Sequence, residues 1–453
     1  MTQPEPATAR VSLRRMTPVQ LIFLGFLLVT GLGTGILMLP AATAAGEETS
    51  FIHALFTATS ALCVTGLTVV DTGAHWSALG QVVILVLIQL GGFGVMTFAT
   101  VVGLIVLGRL SLRSKLLAAA EAKSLGLADL RSLILGIVKI SLIVELVLTV
   151  ILTLRFWLSY EMTFGEALWQ GLFHAISAFN NAGFSLFNDS LMQFVGDPVV
   201  CLSMAAAIIL GGLGFPVILQ LRRRYRTPRL WSMHTRIVLW ATTVLLVGGT
   251  GFILALEWSN PATLGPLNWS EKLLASFFQS VQTRTAGFNS VDISAMEPTT
   301  WLGLDALMFI GGAPAGTAGG IKVTTFAVLL FILFAELRGG AAVNIFGKRL
   351  SRAVHRQAIS VVLLATALIV LVTGALMHLT GLPLDQVLFE TVSAFATVGL
   401  STGITADLPA VGQALLVLLM FIGRVGPITF ASALALRERR TMYELPKERP
   451  IIG

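Results

Sequence analysis

Charge is what this sequence has least of. Only 12% of its 453 residues are Asp, Glu, Lys or Arg, while 55% are hydrophobic. A soluble globular chain carries roughly 25% charged residues. Half that density cannot wet the surface of a water-soluble fold of this size, so a soluble enzyme is excluded. A mean hydropathy of +0.86 points to a polytopic membrane protein, in which lipid replaces much of the water-facing surface. Cysteine is nearly absent: Cys63 and Cys201 make neither a disulfide framework nor a zinc spacing. The six histidines are scattered without metal spacing. A membrane-embedded enzyme would need His, Asp, Glu or Cys clustered at membrane depth, and the sequence has no such cluster. The start, 1–15, is polar and basic; the apolar run behind it is too long for a signal peptide and lacks a small-residue cleavage site.

Long apolar runs are plentiful. Eight are long enough to cross a bilayer at roughly 20 residues each: 19–40, 79–107, 133–154, 199–221, 237–256, 302–335, 358–377 and 411–436. Helices are expected, because a single span must satisfy its own backbone hydrogen bonds. The sixth run is interrupted by Gly311, Gly312, Pro314, Gly316, Gly319 and Gly320 and should be a broken helix. Between the long runs lie four short ones, 51–63, 169–178, 273–282 and 387–396, too short to span. The order is long, short, long, four times over. The expected fold is therefore an all-α polytopic membrane protein.

Basic residues set the orientation. Segments 1–18, 109–131, 222–236, 338–356 and 437–453 hold 24 of the 30 Lys and Arg. The opposite connections carry acidic residues such as Glu47, Glu48, Asp189, Asp197, Asp292 and Asp407. The positive-inside rule places both termini and three loops in the cytosol. The net charge of +7 thus states topology, and no nucleic-acid partner is expected. Arg222, Arg223, Arg224, Arg226 and Arg229 form the densest basic cluster, read as a topology anchor or as a site for lipid or partner binding.

The short runs align without gaps: 56–66 reads FTATSALCVTG, 173–183 FHAISAFNNAG, 277–287 FFQSVQTRTAG and 389–399 FETVSAFATVG. Each has Phe ten residues before Gly66, Gly183, Gly287 or Gly399, and Ser60, Ser177 and Ser393 share one offset. A second landmark follows in step: Gly91-Gly92, Gly211-Gly212, Gly311-Gly312 and Gly423-Arg424, at offsets of 25, 28, 24 and 24 from the first glycine. Two landmarks repeating together mark an internal fourfold repeat. The doublets suit close helix packing through small residues. The four single glycines sit where the chain must leave a half-membrane helix and run extended, which calls for positive φ or close backbone approach.

Non-helical backbone at membrane depth is tolerated only where it is buried in protein or lines an aqueous cavity. Four such segments around a pseudo-fourfold axis would aim carbonyl oxygens at one line, and carbonyl rings replace the hydration shell of a monovalent cation. The candidate filter is Val64, Thr65 and Gly66; Asn181, Ala182 and Gly183; Thr285, Ala286 and Gly287; and Thr397, Val398 and Gly399. Each short helix would turn its partly negative C-terminal end toward that line.

These motifs resemble the Trk/Ktr/HKT superfamily of potassium transporters. The strings FTATSALCVTGLTVVD at 56–71, QTRTAGFNSVD at 282–292 and GGAPAGTAGGIK at 311–322 are similar to that superfamily's first pore loop, third pore loop and intramembrane loop. The resemblance covers essentially the whole chain. It implies four covalently linked helix–pore loop–helix repeats around a pseudo-fourfold central pore, at 19–108, 132–221, 237–337 and 357–436. With residues 1–18 ahead of the first span, the expected type is the Ktr membrane subunit rather than a Trk subunit with two further N-terminal helices. Four filter glycines go with potassium preference in the family.

Arg424 takes the place of Gly92, Gly212 and Gly312 in the fourth repeat. A charge at mid-membrane costs at least about 2.5–3.5 kcal/mol, so it is expected to be functional. It is read as a positive barrier below the filter, or else as one half of a buried ion pair with Glu145 or Asp305. The break made by Gly311, Gly312, Ala313, Pro314, Ala315, Gly316, Thr317, Ala318, Gly319 and Gly320, with Lys322 facing the cytosolic vestibule, is read as a gate; the plain alternative is a fixed kink. A phosphate-loop reading fails, because Ile321 separates Gly320 from Lys322 and no Ser or Thr follows directly. The resemblance further implies potassium as the transported ion, sodium as a candidate activator, a homodimer in the plasma (inner) membrane, and a cytosolic nucleotide-binding ring of RCK type on the basic inner loops. The rival function is an ion-coupled secondary solute transporter with a midplane site in broken helices. Such carriers have two inverted halves, not four parallel units.

Overall fold

The computed structural model describes residues 18–93, 130–340 and 342–426. The basic segments 1–17, 109–129 and 437–453 and the distal parts of the second and eighth apolar runs lie outside the described residues. The first unit is α1 (Pro18–Leu37), α2 (Phe51–Leu62) and α3 (Ala78–Gly92). The second is α4 (Leu130–Ser159), α5 (Phe164–Phe179), α6 (Pro198–Gly212) and α7 (Phe215–Arg224). The third is α8 (Met233–Glu257), α9 (Trp269–Gln282), α10 (Pro298–Phe309) and α11 (Val323–Leu337). The fourth is α12 (Arg352–Thr380), α13 (Leu384–Ala396) and α14 (Ala410–Val425). The one sheet among the described residues is an antiparallel hairpin of β1 (Asn344–Ile345) and β2 (Lys348–Arg349).

Three of the four short helices start earlier than hydrophobicity alone suggests, at Phe164, Trp269 and Leu384, because their first turns carry polar residues, whereas α2 starts at Phe51 as read. Thr163 and Glu166 close a capping box on α5, and Asn268 and Glu271 do the same on α9. Such boxes satisfy orphan N–H groups at the helix start. The sixth run is broken as expected, between Phe309 and Val323. The fourth run, read as continuous, is also broken: α6 and α7 meet at 99°. Gly214 takes φ +82° there, and Pro216 supplies no N–H for a continuing helix. Among the described residues, α8, α12 and 135–159 of α4 are each long and apolar enough to cross a membrane alone. Their outward faces are apolar as well: Leu146, Val247 and Leu371 are exposed, the pattern of a surface solvated by lipid.

The packing closes on itself. Within each unit the first long helix packs on the short helix: α1 on α2, α4 on α5, α8 on α9, α12 on α13. Between units, the second helix packs on the next short helix: α3 on α5, α6 on α9, α10 on α13, and α14 back onto α2. The shared motif phenylalanines Phe56, Phe173 and Phe389 are fully buried in this core. In the third unit the fully buried ring is Phe278, one residue past the motif position.

Candidate functional site

Each short helix ends in the same backbone turn. Val64, Asn181, Thr285 and Thr397 adopt left-handed φ of 57°, 58°, 70° and 51°. For branched Val and Thr that conformation costs on the order of 1–3 kcal/mol and persists only where the surroundings dictate it. Two residues later Gly66, Gly183, Gly287 and Gly399 have φ of 89°, 71°, 77° and 96°. The loops are tied back to their helices. Ser60 Oγ accepts from Gly66 N (3.1 Å) and donates to Leu67 O (2.7 Å). Ser177 Oγ donates to Phe184 O (2.8 Å), and Ser393 Oγ accepts from Gly399 N (3.1 Å). In the third unit Gln282 Oε1 takes this role, accepting from Phe288 N (3.2 Å).

The four glycines touch in cyclic order. A Cβ on Gly66 would meet Ala182 O at 2.5 Å and Gly183 Cα at 2.9 Å. On Gly183 it would meet Gly287 Cα at 3.0 Å, on Gly287 it would meet Gly399 Cα at 3.2 Å, and on Gly399 it would meet Gly66 Cα at 3.1 Å. No side chain fits at any of the four. The twelve residues of the four triplets are buried, apart from half-buried Gly399. Among the described residues, none of their twelve carbonyl oxygens accepts a hydrogen bond. The hydroxyls of Thr65, Thr285 and Thr397 are likewise buried without a partner. Buried backbone polar groups are paired in more than about 90% of cases, so these carbonyls stand apart from the ordinary backbone of the fold; those of Thr65, Ala182, Ala286 and Val398 lie against the glycine of a neighbouring unit.

The glycine doublets support these turns from behind. A Cβ on Gly91, Gly211 or Gly423 would strike the carbonyl of Leu62, Phe179 or Phe395, the last turn of α2, α5 or α13. This is the close packing through small residues that the sequence suggested. The third doublet differs, with Gly311 against Gly319 O inside its own loop.

The broken sixth run lies against these elements. Its ends are stapled by Gly311 N to Ile321 O (2.9 Å) and Val323 N to Gly312 O (3.0 Å). The loop is stitched into the other break: Ala313 N donates to Gly212 O (2.8 Å), Thr317 N to Gly211 O (3.1 Å), and Phe215 N to Ala315 O (3.0 Å). The Thr317 hydroxyl lies 2.9 Å from the Asn181 amide, and Gly319 packs on the Thr397 side chain. Thus two of the triplets touch the loop directly. Ala313, Thr317 and Ala318 are buried, while Ala315 is exposed. Lys322 is half-buried and folds back to donate to Ala318 O (2.8 Å).

Arg424 is buried and donates from Nη1 to Thr317 O and from Nη2 to Gly91 O. The ion pair with Glu145 or Asp305 is not formed: among the described residues the one salt bridge is Arg155–Asp197, at 2.7 Å. Glu145 instead accepts from Gln89 Nε2 (3.0 Å) and Asn180 Nδ2 (3.2 Å), joining the first two units. Sequence reasoning missed Arg284, which is buried beside the third triplet with Nη2 3.4 Å from Gly311 O. Its signal was a lone arginine inside the third pore motif, the same kind of signal that singled out Arg424.

Residues 7–441 match the family described as TrkH, cation transport protein. The Ktr system potassium uptake protein B of Bacillus subtilis is 42% identical over 427 residues, covering 94% of each chain. That of Vibrio alginolyticus is 41% identical, covering 96% of this chain and 94% of the relative. The crystal structure of the potassium transporter TrkH from Vibrio parahaemolyticus superposes with a TM-score of 0.69 at 18% identity, over 95% of this chain and 87% of that one. The last likeness bears on the fold: an all-α, multi-pass membrane architecture. The chain belongs to the TrkH cation transport protein family, within the Trk/Ktr/HKT superfamily of potassium transporters, and is related to its Ktr-type membrane subunits.

Proposed function

We propose that this protein takes up potassium across the plasma (inner) membrane by channel-like passage through a pore at the centre of its four units, 19–108, 132–221, 237–337 and 357–436. The observation that carries the reading is the set of twelve carbonyls, unpaired among the described residues and all but that of half-buried Gly399 on buried residues, around four glycines that touch in cyclic order. A dehydrated cation finds in such a ring the oxygens that water gave up. The triplets ending at Gly66, Gly183, Gly287 and Gly399 are the selectivity filter. Below them, the loop 311–322 is the gate: it rests on Asn181 and Thr397 and must break its bonds to Gly211, Gly212, Phe215 and Arg424 to leave. Arg424 places a positive charge on the path and also ties the loop shut. The inward-negative potential supplies about 2.3 kcal/mol per charge per 100 mV, so the transport step itself needs no ATP.

The termini and the basic loops lie in the cytosol in this reading. Relatives named as uptake proteins of the Ktr system support potassium as the ion; a homodimeric assembly, a cytosolic nucleotide-binding ring of RCK type and sodium as a candidate activator belong to the same proposal. The two broken helices would suit a solute carrier, but the cyclic packing of four like units favours a pore. The test is tracer flux in proteoliposomes with the Gly66→Ser variant. Discrimination of potassium over sodium falls at least tenfold while flux persists. Unchanged selectivity removes the filter assignment.

A further inference from the structure

The 99° bend turns α7 sharply away from the direction of α6. In the orientation proposed above, with α6 spanning and the basic loops cytosolic, α7 would run along the cytosolic border of the membrane. Residues 222–230, with Arg222, Arg223, Arg224, Arg226 and Arg229, are all exposed. Next to them lies a cavity of about 440 Å³ between the end of α7, the start of α8 and the β1–β2 hairpin. Arg229, Arg236 and Lys348 line it together with Gln220, Trp231 and Ser232, and among the described residues no acidic side chain does. Its rim is apolar: Leu230 is 58% exposed and Phe346 46%. Cations in a cavity beside exposed apolar side chains, at the level where α8 enters the membrane, match one chemistry. A phosphate group would sit among the cations while acyl chains lie against the apolar rim.

We propose that this cavity binds the phosphodiester headgroup of an anionic phospholipid of the cytoplasmic leaflet. The walls are prearranged. Gln220 Oε1 accepts from Ser232 Oγ (2.9 Å), its Nε2 approaches Leu230 O (3.4 Å), and Arg236 Nη2 donates to Arg229 O (2.9 Å). Arg229 and Lys348 are exposed, so their charges face the headgroup without holding the fold together. Resting on the gate reading above, the site has a consequence. Five residues before Gln220 of the cavity wall, Phe215 N donates to Ala315 O of the intramembrane loop (3.0 Å). A bound headgroup fixes α7, and α7 holds one wall of that loop.

The test separates binding from transport. The purified full-length chain is placed in nanodiscs of phosphatidylcholine with increasing phosphatidylglycerol, and bound anionic lipid is counted by native mass spectrometry after gentle release. The proposal expects retained phosphatidylglycerol for the wild type and a loss of apparent affinity of tenfold or more for Arg229→Glu/Lys348→Glu, as expected when two headgroup-facing cations are reversed. A control, Arg222→Glu/Arg223→Glu, changes the same net charge outside the cavity and keeps most of the binding. Equal retention by the cavity variant overturns the site and leaves the surface to a protein partner. Equal loss in both variants shows a diffuse field rather than a cavity and also overturns it. Inorganic phosphate that stabilises the wild type in phosphatidylcholine alone, as strongly as the lipid does, assigns the cavity to a free anion. A potassium flux altered only in the cavity variant supports the link to the gate; unaltered flux with lost lipid binding removes that link but leaves the lipid site.

Discussion

Removing the Arg424 side chain should open the pathway. Its Nη1 bond to Thr317 O is the attachment that loop 311–322 makes to the fourth unit through a charge. A buried hydrogen bond from a charged donor contributes about 1.5–3 kcal/mol. The bond to Gly91 O ties α14 to α3, not to the loop, so only the first bond bears on the loop. If the closed arrangement loses that amount and the open one does not, the balance moves by roughly 10–150-fold, at about 1.4 kcal/mol per tenfold. Arg424→Ala in proteoliposomes should therefore raise basal rubidium flux at least tenfold. Arg424→Lys separates anchor from charge. It keeps the positive charge but not the two-pronged donor geometry, so it should leak less than Ala and more than wild type. A folded Arg424→Ala variant with wild-type flux would refute the reasoning and leave Arg424 as a structural charge.

Other outcomes follow from the same geometry. Thr317→Val removes the hydroxyl beside the Asn181 amide; with a neutral bond worth about 0.5–1.5 kcal/mol, leak should rise about 2–12-fold, measured by the same assay. Asp197 begins α6 and accepts from Arg155 Nε (2.7 Å), Tyr160 OH (2.9 Å) and Val199 N (2.9 Å). Burial works to raise its carboxyl pKa, but bonds from Arg155, Tyr160, Val200 and Val199 outweigh this and hold it below its ordinary 3.8. A depressed folded pKa means that the stabilisation is complete above that ordinary value and is lost as the pH falls through the folded one. The thermal midpoint of the wild type should thus drop on acidification below about pH 4, and Asp197→Asn should start lower and flatten that limb; parallel curves would show that Asp197 contributes nothing.

Much of the site could be read from the chain because its signals are local. Gly66, Gly183, Gly287 and Gly399 are glycine for a backbone reason, a positive φ with a neighbour's backbone in the way of any Cβ, and such a reason recurs wherever the turn recurs. Arg424 stood out because its surroundings in sequence are apolar. The break in the sixth run was spelled by clustered glycines. The break in the fourth has a shorter signal, Gly211, Gly212, Gly214 and Pro216, whose doublet is equally suited to helix packing; what bends α6 from α7 is partly distant, the loop carbonyl of Ala315 taking the Phe215 N–H. Contacts such as Thr317 with Asn181, 136 residues apart, or Glu145 with Gln89 and Asn180, depend on how the units close on each other. No spacing rule reaches that far. Three of the four short helices extend ahead of their apolar runs because capping turns are polar; α2 does not.

The central claim is that the four glycine turns hold a dehydrated potassium-like ion. It is tested most directly by an experimental structure in rubidium or thallium, with anomalous scattering recorded, beside a matched structure in sodium. Anomalous density should be encircled by the carbonyls of the triplets ending at Gly66, Gly183, Gly287 and Gly399, with weaker occupancy in sodium. Density absent from that ring, or concentrated instead at buried carboxylates such as Asp305 and Glu390, would contradict it.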